Sequence, residues 1–133
     1  MTRNNNVVES LKLVVGNKNV ITNKWSQEPF ITGWRYGKGE ALAVIKPGTL
    51  LEMWQVLKVC VKNDVSVIMQ AANTGLTGGS TPFGNDYDRP VVIINTLRIT
   101  SIHIIKNGEQ IIALPGSSLY DLENKLKPLN KEP

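Results

Sequence analysis

The chain has 133 residues, 41% of them apolar and 20% charged, which is the ordinary composition of one globular domain. Its net charge of +4 comes from basic residues spread along the chain, a pattern that does not indicate nucleic-acid binding. The single cysteine, Cys60, excludes an internal disulfide and any zinc site built on two cysteines. No apolar run approaches the roughly 18 residues of a membrane-spanning helix, and polar residues 1–6 do not resemble a secretory signal, so we expect a soluble chain.

The first half of the chain predicts a short helix followed by a strand, helix, strand unit. Apolar residues at helical spacing from Val7 to Val15 stop at Gly16, which predicts a helix that ends at this glycine. Residues 17–40 show no period, so we expect a long loop pinned by its aromatic side chains. Strands are expected at 41–45 and 65–69, parallel to each other.

The helix between these strands begins with a Thr49/Glu52 capping box. It has one narrow polar stripe, so most of its surface should be covered by protein.

The second half predicts a third buried strand at 91–94 and then a change of pattern. Residues 102–114 should form an antiparallel hairpin, because Asn107-Gly108 is favoured in two-residue turns. Ser117 or Ser118 should cap a final helix. The side chains of that helix expected to face inward are Leu119, Leu122 and Leu126.

The glycine-rich stretch 70–84 is the most informative segment. Glycines permit left-handed turns and close approach to a ligand, so successive N–H groups can converge on one anion. Uncharged side chains could add donors: Asn73, Thr74, Thr77 and Ser80. The segment follows a strand of the parallel unit, beyond whose carboxyl end ligands bind. Gly79 stands where a Walker A loop requires Lys, so a diphosphate held by backbone amides is favoured over ATP hydrolysis. A surface connection that binds nothing is the alternative.

Other candidates for chemistry are weaker. His103 is the only histidine and lies in an apolar strand, so we interpret it as structural, and neither a catalytic triad nor a metal cluster can be assembled. Asp86 and Asp88 near Arg89 are typical of a solvated turn with a local ion pair. The three tryptophans are expected to anchor the core or loops.

The segment Asn73-Thr-Gly-Leu-Thr-Gly-Gly-Ser80 resembles the pyrophosphate loop of the vanillyl-alcohol-oxidase type of FAD-binding domain, found in flavoprotein dehydrogenases of D-2-hydroxy acids. A longer match, from Ala41 through Gly84-Asn-Asp-Tyr-Asp-Arg89 to Leu126-Lys-Pro-Leu129, resembles the bacterial quinone-dependent D-lactate dehydrogenases. Many relatives carry two glycines where this chain has alanines, a departure that the D-lactate enzymes share. By this resemblance, the residues that contact FAD, mainly through backbone amides at its diphosphate, are Ala71, Ala72, Asn73, Thr74, Gly75, Gly79 and Ser80. The loop has no histidine, so the FAD should be bound noncovalently.

The resemblance also implies an α+β fold class and an N-terminal fragment of a larger enzyme. Residues of about 7–98 would form a parallel βαβ subdomain, and about 99–133 would start an antiparallel α+β subdomain. The substrate domain, the catalytic base and the surface that contacts the membrane would lie beyond the chain, which alone should be inactive, with no catalytic residue and no metal site.

The parent enzyme would oxidise D-lactate to pyruvate and pass electrons through FAD to membrane quinone. It would bind peripherally at the cytoplasmic side of the bacterial inner membrane. Two alternatives stay open: a noncatalytic nucleotide- or phosphate-binding module that uses the same loop, and a purely structural domain.

Overall fold

The computed structural model describes residues 2–133, which form four α-helices, a four-stranded sheet and a two-stranded hairpin. In chain order the elements are α1 (Arg3–Val15), β1 (Val20–Ile21), α2 (Lys24–Ile31), β2 (Ala43–Ile45), α3 (Leu50–Lys62), β3 (Ser66–Gln70), β4 (Val91–Asn95), β5 (Ile102–Ile105), β6 (Gln110–Ala113) and α4 (Leu119–Leu126).

The larger sheet has the strand order β1-β2-β4-β3. Strands β2 and β3 each pair in parallel with β4, which lies between them, and β1 pairs antiparallel with β2 at one edge. The parallel direction expected for β2 and β3 is therefore confirmed, although the two strands are not neighbours. Since β2, β3 and β4 run in the same direction, their carboxyl ends meet at one edge of the sheet. We call this the carboxyl edge.

Helices cover both faces of the sheet. Leu11 of α1 and Val56 of α3 pack on one face, together with Ile45 and Ile94. Ile31 of α2 packs on the other face, against Val44 and Ile93. Adjacent residues of β2 point to opposite faces, so a strand buried on both sides reads as a continuous apolar run, as the sequence predicted.

The expectation of a long loop at residues 17–40 is wrong. The segment contains β1 and α2. The side-chain oxygen of Asn23 accepts hydrogen bonds from the backbone N–H groups of Trp25 and Ser26 and so caps α2. The helix is only eight residues long and includes Pro29, so its apolar residues do not repeat often enough to show a helical period.

Of the four aromatic side chains expected to pin this segment, only Phe30 packs against the core. Trp25 is 91% exposed, and Trp34 and Tyr36 are also exposed. The segment is also held by Gln27, which is buried and donates a hydrogen bond of 2.9 Å from Nε2 to the carbonyl oxygen of Ile21. A buried amide that satisfies a strand carbonyl is a polar contact that hydrophobic patterning does not reveal.

The cap that Thr49 provides for α3 is confirmed, but the reciprocal half of the capping box does not form. The Thr49 hydroxyl oxygen accepts from the N–H of Glu52 at 3.0 Å, and the Glu52 carboxylate accepts from the N–H of Gly48 at 2.6 Å. The carboxylate thus reaches one residue further back than a capping box requires. Both contacts fix the turn that leaves β2 at the carboxyl edge.

The expected cover over α3 is not provided by residues 2–133. Only Val56 and Cys60 of this helix are buried, while Trp54 is exposed and Val61 is 79% exposed. Leu13 of α1, 89% exposed, lies beside them. We call this apolar surface the α1–α3 groove, lined by Leu13, Val14, Trp54, Leu57 and Val61.

The predicted hairpin is confirmed as β5 and β6. Asn107 and Gly108 have φ values of +53° and +89°, and the N–H of Glu109 donates to the carbonyl of Lys106 at 3.2 Å. A type I′ turn requires positive φ at both of its central residues, so these values and this hydrogen bond identify the turn as type I′.

The last helix, α4, follows its prediction only in part. Ser118 caps it by accepting from the N–H of Asp121. Leu126 is buried and Leu122 half-buried, but Leu119 is exposed and does not face inward.

Candidate functional site

The glycine-rich segment lies at the carboxyl edge of the sheet. It leaves β3 after Gln70 and returns to β4 at Val91. We call residues 71–84 the glycine loop. The turn after β2 and the segment after β4 begin at the same edge. The loop is therefore where the parallel topology leads us to expect a ligand.

Gln70 anchors both ends of the glycine loop. It is 2% exposed, and its Nε2 donates to the carbonyl oxygens of Ser80 and Phe30, each at 2.8 Å. Its Oε1 accepts from Nδ2 of Asn95 at 3.1 Å, and the same Nδ2 donates to the carbonyl of Ala71 at 3.0 Å. The first and the last parts of the loop are thus tied to the ends of two neighbouring strands.

Asn73 fixes the middle of the loop. Its φ of +56° lies in the left-handed region, which Asn tolerates better than most residues. Its Nδ2 donates to the carbonyls of Pro29 and Thr32 at 3.2 and 2.9 Å, and its Oδ1 accepts from the Ser80 hydroxyl at 2.8 Å. The side-chain donors of Asn73 and Ser80 are therefore used to shape the loop rather than left for a ligand.

A tight turn at residues 33–37, which we call the 33–37 turn, packs along the glycine loop. The N–H of Gly33 donates to the carbonyl of Gly37 at 2.8 Å and closes it. The carbonyl oxygen of Tyr36 lies only 3.3 Å from where a Cβ at Gly78 would be, and Gly78 has a φ of +75°. Gly84 donates from its N–H to the carbonyl of Lys38 at 2.9 Å. Glycine is required at position 78 by the conformation and by this close approach.

The backbone N–H groups of the glycine loop are free to bind a ligand. Within the described chain, no N–H group from Ala71 to Ser80 donates a hydrogen bond to a protein acceptor. The N–H groups of Thr81 and Gly84, just beyond, are paired. A run of free backbone donors, held in place by buried side chains, is the arrangement that an anion-binding nest needs.

At two positions of the loop, neither the backbone conformation nor a close neighbour within the chain requires glycine. A Cβ at Gly75 would come no closer than 3.9 Å to another residue, and a Cβ at Gly79 would also find its first neighbour at 3.9 Å. Neither has a φ in the left-handed region. Close approach of a ligand to the backbone is a physical reason to keep both positions free of side chains.

The residues predicted from the sequence are thus brought together in one loop with different roles. Asn73 and Ser80 bond to each other, Ala71 is held through its carbonyl, and Ala72 and Thr74 are exposed. Sequence reasoning missed the anchors Gln70 and Asn95. The signal available for them was a polar residue at the end of each apolar strand.

The remaining candidates do not form a site. Arg89 pairs with Asp64 at 2.7 Å and with Asp88 at 2.8 Å, and its hydrogen bond lowers the pKa of the Asp88 carboxyl. This confirms the local ion pair expected around Arg89. His103 is exposed on β5, with Nε2 2.7 Å from the Ser101 hydroxyl.

No group of three metal-ligating side chains occurs among residues 2–133. None of their helices is long and apolar enough to cross a membrane.

The glycine loop fits the diphosphate of a dinucleotide cofactor. It offers consecutive free N–H groups and two glycines that leave room for a close ligand, and no side chain from Gln70 to Asn85 is charged, so no carboxylate opposes an anion. The residues described here include no further set of groups that would surround a flavin ring.

The chain is similar to known proteins over nearly its whole length. The chain is 56% identical over 127 residues to the quinone-dependent D-lactate dehydrogenase of Haemophilus influenzae, with 96% of this chain and 22% of that protein covered. It is 52% identical over 132 residues to the protein of the same name from Escherichia coli, covering 99% of this chain and 23% of that protein. The chain therefore spans less than a quarter of the length of these relatives.

Solved structures share the fold. p-Cresol methylhydroxylase matches with a TM-score of 0.76 and 15% identity, covering 96% of this chain and 25% of that one. Alkyldihydroxyacetonephosphate synthase matches with a TM-score of 0.80 and 16% identity, covering 93% of this chain and 25% of that one. The α+β fold of the vanillyl-alcohol-oxidase type that the sequence predicted is confirmed.

A protein-family model described as "FAD binding domain" matches residues 41–131, a stretch that includes the whole glycine loop, β4 and the hairpin. Since this match covers more than half of the chain, the protein belongs to the FAD binding domain family.

Proposed function

We propose that this chain is the FAD-binding portion of a respiratory D-lactate dehydrogenase, which oxidises D-lactate to pyruvate and transfers the electrons through FAD to membrane quinone. The observation that carries the proposal is the high identity to two quinone-dependent D-lactate dehydrogenases over nearly the whole chain. The free N–H groups of the glycine loop supply an independent physical reason for a bound diphosphate.

The chain's own contribution is to grip and orient the cofactor. Backbone N–H groups between Ala71 and Ser80 bind the diphosphate, while Gln70 and Asn73 hold the loop rigid from behind. When bound, FAD supplies the electron acceptor for the hydride of the D-lactate α carbon. The glycine loop contains no histidine, and we propose that it holds FAD noncovalently.

The proposal extends to the organisation of the parent protein. We propose that residues of about 7–98 belong to a subdomain built on the parallel strands β2, β3 and β4, and that residues of about 99–133 begin an antiparallel one. The substrate-binding residues and the catalytic base lie in the remainder of the enzyme. The parent binds peripherally to the cytoplasmic side of the inner membrane, where quinone is available.

The test uses the full-length parent protein. We expect it to purify with the absorption spectrum of a flavin, released by denaturation without covalent attachment, and to reduce a quinone-like dye with D-lactate. Fractionation of cells should recover it with membranes, and high salt should release it. A colourless protein that oxidises no 2-hydroxy acid would refute the proposed function.

A matched pair of variants tests the role of the glycine loop. Gly79→Val places a branched side chain among the free N–H groups, and its Cβ would come no closer than 3.9 Å to another residue, so FAD should be lost without loss of folding. Ala113→Val makes the same kind of addition on the exposed face of β6 and should keep FAD. If Gly79→Val retains FAD with unchanged affinity, the diphosphate does not bind here. Titration with ADP separates the alternative module, which would bind ADP as tightly as FAD.

A further inference from the structure

The glycine loop has no cation of its own to balance a diphosphate. No side chain from Gln70 to Asn85 is charged, and the element that follows the loop in the described chain is the strand β4. The positive end of a helix, which stabilises phosphates in many nucleotide sites, is therefore not supplied by the element after this loop. A cation from another segment would strengthen binding of the two negative charges.

The basic side chains near the carboxyl edge differ in availability. Lys38 is paired with Glu28 at 2.6 Å. Lys46 lies over the ring of Phe30, 5.9 Å from its centroid, and Arg98 donates to the carbonyl of Lys46 at 2.5 Å.

Arg35 is different. It is exposed, and among residues 2–133 it takes part in no side-chain hydrogen bond or ion pair. Within the part of the chain that the structure describes, its charge is thus engaged by neither an ion pair nor a side-chain hydrogen bond.

The position of Arg35 is fixed by the 33–37 turn. The turn is closed by the hydrogen bond between Gly33 and Gly37, and Thr32 and Lys38 form an antiparallel bridge at its base. The next residue, Tyr36, approaches the loop through its carbonyl oxygen and its ring, 3.3 and 3.4 Å from where a Cβ at Gly78 would be. Arg35 is therefore one residue away from the contact between the 33–37 turn and the centre of the loop.

We propose that Arg35 binds the diphosphate of the cofactor held by the glycine loop. The proposal deepens the proposed function and rests on it. A guanidinium can donate two parallel N–H bonds to phosphate oxygens, so it adds both charge and orientation to the neutral grip of the backbone amides. The glycine loop provides backbone N–H donors, and Arg35 in the 33–37 turn provides the positive charge that balances the diphosphate.

The experiment measures binding to the apoprotein of the full-length parent, using Arg35→Gln, Arg35→Lys and, as a control, Lys62→Gln. Lys62 is an exposed cation at the end of α3 that precedes β3, so it lies at the opposite edge of the sheet. The ligands are FAD, ADP and riboflavin, which lacks phosphate. Arg35→Gln should weaken FAD and ADP by about tenfold or more, the effect of one charge-assisted interaction, and leave riboflavin unchanged.

Further readouts separate a diphosphate contact from a structural effect. Arg35→Lys should restore only part of the FAD affinity, because the positive charge remains but the planar guanidinium that can bond two phosphate oxygens is lost. The salt dependence of FAD binding should be shallower in Arg35→Gln than in the wild type. Equal loss of riboflavin binding, or an effect no larger than that of Lys62→Gln, would overturn the assignment. A wild-type parent that binds no FAD would instead refute the proposed function itself.

Discussion

Gln70 offers the sharpest test of how the glycine loop is held. We expect Gln70→Leu, which keeps the approximate size of the side chain, to destabilise the chain and to weaken FAD binding. The variant removes three hydrogen bonds: those to the carbonyls of Phe30 and Ser80, and the one accepted from Asn95. All three involve a side chain that is 2% exposed, so water cannot replace them without opening the structure.

The magnitude follows from the number of bonds lost. At about 1 kcal/mol of net stability for each hydrogen bond, the loss is about 3 kcal/mol. Two control variants give a scale for this loss of stability. Gln27→Leu removes one bond, to the carbonyl of Ile21, and should cost about 1 kcal/mol. Gln110→Leu, on the exposed surface of β6, should change the free energy of unfolding by less than about 0.5 kcal/mol.

Urea denaturation of this chain, followed by circular dichroism, measures the effect. With a slope of about 1–3 kcal/mol per molar urea, the midpoint of Gln70→Leu should fall by at least about 1 M. FAD affinity of the full-length apoprotein should fall for Gln70→Leu and not for Gln27→Leu, because only the first releases the loop. If Gln70→Leu costs no more than Gln27→Leu, or leaves FAD affinity unchanged, Gln70 does not anchor the loop.

Three further outcomes follow from the structure. Burial raises the pKa of Cys60 to about 11, so its reaction with a thiol reagent at pH 8 should be about 100-fold slower in the native than in the denatured chain. Because the denatured thiol ionises near pH 8.5, stability should fall as the pH rises from there toward 11, and Cys60→Ala should abolish that fall. The exposed apolar side chains of the α1–α3 groove should make this chain self-associate. Sedimentation should show a monomer for the double variant Leu13→Glu with Val61→Glu. A wild-type chain that is already monomeric at high concentration would contradict this prediction. Finally, Arg89→Gln should lower the melting temperature above about pH 4, and the difference from wild type should vanish as acid protonates Asp88, whose pKa in the fold lies below its ordinary value; a pH-independent difference would exclude the ion pair as its cause.

Local patterns predicted the elements whose signals lie within a few residues of each other. The cap at Thr49, the glycine end of α1 at Gly16 and the turn at Asn107-Gly108 all depend on neighbours in the sequence, and all three are present. The glycine loop was found for the same reason, since its composition is itself local. Such features need no knowledge of what packs against them.

The parts that were missed depend on contacts between distant residues. The bond from Gln70 to Phe30 joins residues 40 apart, and that from Asn73 to Thr32 joins residues 41 apart. The order of the strands, with β4 between β2 and β3, likewise cannot be inferred from any one segment of the sequence. The exposure of Trp54 and Val61 could not be predicted either, because a helical pattern shows which residues are apolar but not whether a partner covers them.

The division of labour within the glycine loop explains why it needs polar side chains as well as glycines. A loop of glycines alone would have to be ordered when the ligand binds, and the lost conformational freedom would reduce the affinity. Here Asn73 and Ser80 turn their side chains inward and bond to each other and to neighbouring backbone, so the loop is ordered beforehand. Its own N–H groups stay unpaired as a result, and an uncharged loop can bind an anion through dipoles that are already in place.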